Sequence, residues 1–116
     1  MNFCRYKRKL AKSMRSIFFR GSDREISINE LENLKKSGAV VIDIRSSQEY
    51  NEDHIDGAIN IPLYELNCNI KKYIQDKNKT IIVYCQSGVR SKKALLLLNS
   101  LGYNNVYELE GGIDGI

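Results

Sequence analysis

A cysteine followed by a short loop is the first candidate for chemistry. Cys85 ends an apolar run, and the loop that follows it contains Gln86, Ser87, Gly88, Val89 and Arg90. If a helix begins after this loop, its free backbone N–H groups carry about half a positive charge and point at whatever the loop holds. A thiolate is stabilised in such a place, Arg90 adds a permanent positive charge, and Gly88 permits backbone conformations that a side chain would block. We therefore expect Cys85 to be a nucleophile in a loop that binds an anion.

The elements around the loop can be predicted from its flanks. Residues 80–84 are apolar and mostly β-branched, which predicts a buried strand ending at Tyr84. Residues 91–101 carry leucines at helical spacing, and Gly102 then ends the predicted helix. The cysteine is therefore expected at the carboxyl end of a strand, facing the first turn of a helix.

The rest of the chain alternates in the same way. Further strands are predicted over residues 25–27, 39–44, 58–60 and 106–109. Helices are predicted after two capping-box patterns, Ser27 with Glu30 and Ser46 with Glu49, and over residues 63–74. This alternation predicts an α/β domain with a largely parallel sheet. Ligands in such sheets bind beyond the carboxyl ends of the strands, where Cys85 and residues 43–45 both fall.

Charge divides the chain into two parts. Residues 1–20 carry seven basic residues and no acidic one, so the remainder of this +4 chain carries −3. We predict a basic amphipathic arm over residues 1–22, with Phe3, Leu10, Met14 and Ile17 on one face, and a domain over residues 23–116. The arm either packs on the domain or makes weak contact with an anionic membrane surface or a partner. The acidic balance of the domain argues against binding to nucleic acid.

The cysteines indicate a reducing compartment. Cys4, Cys68 and Cys85 are few, odd in number and widely spaced, and His54 is the only histidine, so neither a disulfide framework nor a zinc site is expected. Cys68 is expected to be a small core residue on a helix. No apolar run is long enough for a signal peptide or a membrane span, and we expect a cytoplasmic protein that needs no metal or other cofactor.

Four segments of the chain resemble signatures of the rhodanese (sulfurtransferase) family. Their order is that of the family: residues 41–45 with Asp43 and Arg45, residues 49–62 with Glu49 and His54, the Cys85 to Arg90 loop, and residues 102–112 with the Gly111–Gly112 pair. The resemblance implies a three-layer domain whose central sheet is flanked by helices. It also implies that Cys85 takes a sulfur atom from a donor, becomes a persulfide and passes the sulfur to an acceptor.

The resemblance also implies roles for the neighbouring residues. The backbone amides of Gln86, Ser87, Gly88, Val89 and Arg90 would stabilise the thiolate or persulfide and contact the substrate, and Arg90 would hold the loop or an anionic donor. The residues that would be structural are Asp43, Arg45, Glu49 and His54. The donor would be a small anion such as thiosulfate, drawn by Arg90, Lys92 and Lys93, or a protein persulfide. The acceptor would be cyanide, a thiol or a partner protein.

Two other functions fit parts of the pattern. Cysteine phosphatases place five residues between cysteine and arginine, whereas Gln86 to Val89 are four, and a phosphoryl group needs a wider cradle than one sulfur atom. A non-catalytic rhodanese-like module that binds or senses is the other alternative. Such modules usually lack the loop cysteine, so the presence of Cys85 favours sulfur transfer. The physiological donor, the acceptor, the pathway and the oligomeric state are left open by the sequence.

Overall fold

The structure, a computed structural model, describes residues 24–116, and they form one parallel sheet with helices on both faces. The strands are β1 (Glu25–Ile26), β2 (Val40–Asp43), β3 (Ile59–Asn60), β4 (Thr80–Tyr84) and β5 (Asn105–Leu109). Their order across the sheet is β1-β5-β4-β2-β3, and every neighbouring pair is parallel. The predicted α/β class with a largely parallel sheet is therefore confirmed, with the cysteine-bearing strand β4 at the centre.

Four helices connect these strands. They are α1 (Ile28–Lys36), α2 (Ser47–Glu52), α3 (Leu63–Tyr73) and α4 (Val89–Ser100), and a short 3-10 turn follows at Ile113–Gly115. Side chains of β4 alternate between the two faces, because successive strand residues point in opposite directions. Ile81, Val83 and Cys85 pack with residues of α3 and α4, whereas Ile82 and Tyr84 pack with residues of α1 and the segment after α2. The sheet thus lies between two helical layers.

Both predicted capping boxes are present. The Ser27 and Ser46 side chains accept hydrogen bonds from the backbone N–H of Glu30 and Glu49, and each glutamate side chain accepts in return from the N–H of its serine. Each box satisfies two helix-end donors that would otherwise lack a partner. In α2 this fixes the backbone at Glu49, whose side chain pairs with Arg90 at the start of α4.

Two sequence-based expectations need correction. Helix α4 begins at Val89 rather than at Ser91, because Gly88 adopts a left-handed conformation with φ +100° and caps the helix directly. Arg90 is therefore part of the first helical turn rather than part of the loop alone. Cys68 was expected in the core, but it is exposed on α3. The buried face of α3 carries Leu66 and Ile70, and Cys68, two positions from each, lies on the other side of the helix.

The predicted basic arm over residues 1–22 lies outside the described residues. Of the helices that are described, none is both long and apolar enough to cross a membrane.

A buried hydroxyl connects the two central strands to the segment after α2. The Tyr84 hydroxyl donates to Asp43 Oδ2 at 2.7 Å and accepts from the backbone N–H of Ile55 at 3.0 Å. Burial raises the pKa of Tyr84 above its ordinary value, so the hydroxyl remains a donor over the working pH range. Tyr84 is therefore both a core aromatic residue and a polar link.

Removal of this hydroxyl should destabilise the domain. Tyr84→Phe leaves the Ile55 N–H and one Asp43 oxygen with one partner fewer in a buried place, so we expect a loss of about 1 to 3 kcal/mol in the free energy of unfolding. Urea unfolding measures it. The matched control is Tyr64→Phe, whose side chain is 77% exposed and should have little effect. Equal stability of the two variants would contradict the role given to Tyr84.

Candidate active site

The sulfur of Cys85 receives two backbone hydrogen bonds. Cys85 follows the last residue of β4 and is 1% exposed. Its Sγ accepts from the N–H of Gly88 at 3.1 Å and from the N–H of Ser91 at 3.3 Å. Both amides belong to the start of α4, where N–H groups have no helical partner and the helix dipole is positive. The loop therefore curls around its own sulfur and presents two donors to a negative charge there.

Only part of the predicted amide set contacts the sulfur. Among Gln86, Ser87, Gly88, Val89 and Arg90, Gly88 makes the contact. The second donor, Ser91, lies one residue beyond the predicted range. A serine in the first turn of a predicted helix is the signal that would have identified it, because the amides of that turn are unpaired.

The segment that follows the Gly111–Gly112 pair supports the loop after Cys85 through backbone hydrogen bonds. The backbone N–H groups of Ile113 and Asp114 donate to the carbonyls of Cys85 and Gln86, each at 2.9 Å. The Gln86 side-chain amide also donates to the Asp114 carboxylate. Gly112 passes so close that a Cβ atom there would lie 2.6 Å from both carbonyl oxygens. The Gly111–Gly112 signature therefore gives the backbone room to reach the active-site loop.

The predicted structural residues Asp43 and Arg45 form a buried ion pair next to the loop. Asp43 is 0% exposed and Arg45 is 3% exposed, and Arg45 Nη2 lies 2.8 Å from Asp43 Oδ2. Arg45 Nη1 donates to the side-chain oxygen of Gln86 at 2.9 Å, and Nη2 also donates to the Asp53 carbonyl. Hydrogen bonding to Asp43 raises the pKa of Arg45 further. The pair thus connects the end of β2 to the residue directly after the cysteine.

Arg90 is held by the predicted structural residue Glu49. Its two Nη atoms lie 3.0 and 3.1 Å from the two carboxylate oxygens, which is a bidentate pair. This hydrogen bonding, with a smaller contribution from the Ser46 N–H, lowers the pKa of Glu49 from 4.5 to about 2. Arg90 therefore connects the first turn of α4 to α2. Its side chain remains 39% exposed, so a dissolved anion can still contact it.

His54 makes its contacts within its own segment. Its Nδ1 lies 2.8 Å from the Tyr50 carbonyl oxygen, and its ring stacks on the Tyr50 ring with centroids 3.8 Å apart. The Tyr50 hydroxyl in turn donates to the Ala58 carbonyl at 2.6 Å. The histidine is thus arranged to hold the turn after α2.

A groove of about 370 Å³ lies beside the first turns of α4. Its walls include Leu63, Tyr64, Arg90 and Lys93. Of the three cations expected to draw a donor, Lys92 is occupied elsewhere, since its Nζ lies 2.8 Å from Glu25 and 3.1 Å from Glu108. Lys93 has no carboxylate partner within residues 24–116 and remains available to an anion, as does the exposed part of Arg90.

No metal centre accompanies this site in the part of the chain that the structure describes. Residues 24–116 contain no group of three or more His, Cys, Asp or Glu side chains that could hold a metal ion.

Comparison with known proteins agrees with the geometry. The family model for the rhodanese-like domain matches residues 27–116. The chain belongs to this family. Within it, 75 residues are 43% identical to the thiosulfate sulfurtransferase PspE of Escherichia coli strain K12, a match over 65% of this chain and 71% of that protein.

Two further relatives show that proteins of different size contain this domain. A solved rhodanese with anions from E. coli has a TM-score of 0.63 and 40% identity, over 68% of this chain and 92% of that one. The tRNA uridine(34) hydroxylase of Erwinia tasmaniensis is 40% identical over 79 residues, but these are 65% of this chain and only 23% of the hydroxylase. The rhodanese-like domain thus occurs both as most of a small protein and as a minor part of a larger one.

The close approach at Gly112 can be tested by adding one methyl group. Gly112→Ala would place a Cβ against backbone atoms of Cys85 and Gln86, at a residue whose φ of +62° already disfavours a side chain. We expect the active-site loop to be displaced, with a loss of at least ~2 kcal/mol in unfolding free energy and of the Cys85 amide contacts. Thermal unfolding and ¹⁵N chemical shifts of Gly88 and Ser91 measure the two effects.

Gly57→Ala is the matched control. Gly57 has φ +83°, and the nearest atom to its added Cβ would be a lysine side-chain carbon at 4.0 Å. It has similar backbone strain without the clash, so its loss should be smaller and the two shifts should stay in place. Equal losses in the two variants, with the Gly88 and Ser91 shifts unchanged, would contradict the supporting role of Gly112.

Proposed function

We propose that this protein is a sulfurtransferase that carries sulfane sulfur on Cys85. The observation that supports this most directly is the pair of N–H groups of Gly88 and Ser91 directed at Cys85 Sγ. With thiosulfate, the thiolate attacks the outer sulfur, a sulfur–sulfur bond forms at Cys85, and the bond to the sulfonate sulfur breaks. Sulfite leaves with the electron pair of that bond. The negative charge of the resulting persulfide is on its outer sulfur, bonded to the Sγ atom that the two amides contact, so the positive end of α4 stabilises it much as an oxyanion hole stabilises oxygen.

The second half of the cycle returns the cysteine. A thiophilic acceptor attacks the outer sulfur of the persulfide, and the sulfur–sulfur bond breaks with its electron pair returning to Cys85 as thiolate. With cyanide the product is thiocyanate. The electron pair that the Cys85 thiolate gives in the first half returns to it in the second, so the cycle needs no outside oxidant or reductant and no redox cofactor enters this scheme.

The size of the loop favours sulfur over phosphate. The loop residues fit tightly enough that their amides reach Sγ itself at 3.1 and 3.3 Å. A phosphoryl group bound at the cysteine would need donors arranged around three further oxygens, at a larger radius. Cys85 is also 1% exposed, which favours a donor that approaches end-on with a narrow terminal sulfur.

The donor is proposed to be anionic. The groove beside α4 offers Lys93 and the exposed part of Arg90 on one side and Leu63 and Tyr64 on another. The positive charge of this groove suits a small anion such as thiosulfate. It suits equally well a partner protein that carries acidic residues around its persulfide. The acceptor is proposed to be a thiol or a partner protein, with cyanide as its laboratory substitute. The presence of the nucleophile disfavours a purely binding module.

Persulfide formation is the direct test. After incubation with thiosulfate and removal of excess donor, the intact mass should rise by one sulfur atom, the modified peptide should contain Cys85, and cyanide should reverse the gain. Cys85→Ser should abolish it because the nucleophile is lost, whereas the control Cys68→Ser should retain it. Sulfur found on Cys4 or Cys68 in the Cys85→Ser variant would overturn the assignment.

The basic arm is proposed to add weak contact with anionic membranes. Each of its seven basic residues contributes on the order of 1 kcal/mol near such a surface, and its few apolar residues add little. A variant lacking residues 1–20 should lose co-sedimentation with anionic vesicles while retaining persulfide formation, and neutral vesicles serve as the control. Vesicle binding that survives the deletion would contradict this role. Location in the cytoplasm stays a prediction from cysteine usage.

A further inference from the structure

A buried carboxylate lies behind the active-site loop without a part in the scheme above. Glu108 is in β5 and is 1% exposed. A charged group so far from water is costly unless it is paired and hydrogen-bonded. Its two oxygens contact Ser91 Oγ at 2.9 Å and Lys92 Nζ at 3.1 Å, both on the first turns of α4. The side chain thus supports the helical turn that supplies an amide to the cysteine.

Ser91 connects Glu108 to both amides that reach the sulfur. Its own N–H donates to Cys85 Sγ, and its hydroxyl lies 3.1 Å from the carbonyl oxygen of Gly88, whose N–H is the other sulfur donor. The same hydroxyl contacts Glu108. One side chain is therefore shared between the buried acid and the loop that holds the sulfur.

The acceptor of the Ser91 hydroxyl proton depends on whether Glu108 is protonated. The Ser91 hydroxyl has one proton but lies within reach of two acceptors, the Gly88 carbonyl and the Glu108 carboxylate. If Glu108 is ionised, the two acceptors compete for that proton. If Glu108 is protonated, its own O–H donates to Ser91 Oγ, and the Ser91 proton is then available to the Gly88 carbonyl. Only the second arrangement leaves the Ser91 proton free for the Gly88 carbonyl.

The groups that face Glu108 act in opposite directions. Burial raises its pKa, the nearby Glu25 on the neighbouring strand raises it further, and Lys92 and Ser91 lower it, with a net rise. Lys92 is shared between the two carboxylates, at 2.8 Å from Glu25 and 3.1 Å from Glu108, and is 58% exposed. Its positive charge is therefore only partly available to Glu108.

We propose that Glu108 is a positioning residue whose proton, relayed through the Ser91 hydroxyl, sets how strongly the loop stabilises negative charge on Cys85. A neutral Glu108 leaves the Ser91 proton to fix the Gly88 carbonyl, so that the Gly88 and Ser91 N–H groups stay aimed at the sulfur. An ionised Glu108 draws that proton away and places a like charge behind the thiolate, which disfavours it. The importance of this residue for turnover rests on the proposed sulfur transfer, but its effect on the thiolate does not.

The test measures the thiolate directly, without sulfur transfer. The alkylation rate of Cys85 by iodoacetamide, located by peptide mass spectrometry, is followed against pH. Glu108→Gln removes the charge and can donate permanently to Ser91 Oγ, so the midpoint of the profile should move to lower pH by about 0.5 to 1 unit. The matched control Glu25→Gln removes the other carboxylate on Lys92 and does not touch Ser91, so it should move the midpoint much less than Glu108→Gln does.

Ser91→Ala separates the relay from a simple field effect. It keeps the backbone N–H and removes the hydroxyl, so the shift caused by Glu108→Gln should fall by more than half in the Ser91→Ala background. A full shift in both backgrounds would overturn the relay, and no shift in either would reduce Glu108 to a structural residue.

If Glu108→Gln does not fold, Ser91→Ala alone decides: its midpoint should move to higher pH, and an unchanged profile overturns the proposal. Loss of persulfide formation with an intact profile shift would count against the proposed function alone.

Discussion

The buried ion pair of Asp43 and Arg45 is the interaction on which the active-site region depends. Two opposite charges out of water are favourable only when their remaining hydrogen-bonding capacity is also used. Asp43 accepts from the backbone and side chain of Arg45 and from the Tyr84 hydroxyl, while Arg45 donates onward to Gln86 and Asp53. Tyr84 and Gln86 are the two neighbours of Cys85 in the chain. Cys85 is thus fixed from both sides by one buried pair.

Much of the fold could be predicted from the sequence because its signals are local. The strand at Thr80–Tyr84 is a short apolar run, and the two capping boxes are four-residue patterns with a defined hydrogen-bond geometry. The start of α4 could not be predicted in the same way. It depends on the left-handed conformation of Gly88, which is set by the contacts of the loop with Cys85 and by the pairing of Arg90 with Glu49.

The position of Cys85 in the candidate site was predictable, and the residues that surround it were less so. A cysteine between a strand and a helix is visible in the sequence, but the direction of each N–H group depends on every backbone angle of the loop. This is why Ser91, rather than most of the expected residues, completes the cradle. Glu108 has a weaker signal, an acid inside an otherwise apolar strand, and its meaning appears only when β5 and α4 are brought together in space.

The borders of the sheet are shorter than its centre. Within residues 24–116 the two outermost strands, β1 and β3, have two residues each, whereas the central β4 and its neighbour β5 have five. An open sheet edge is a template on which a second chain can pair, and a very short edge strand limits that template. A second copy that met β1 or β3 would find only two residues of that strand to pair with. We therefore expect the two short edge strands to hinder open-ended assembly through the sheet.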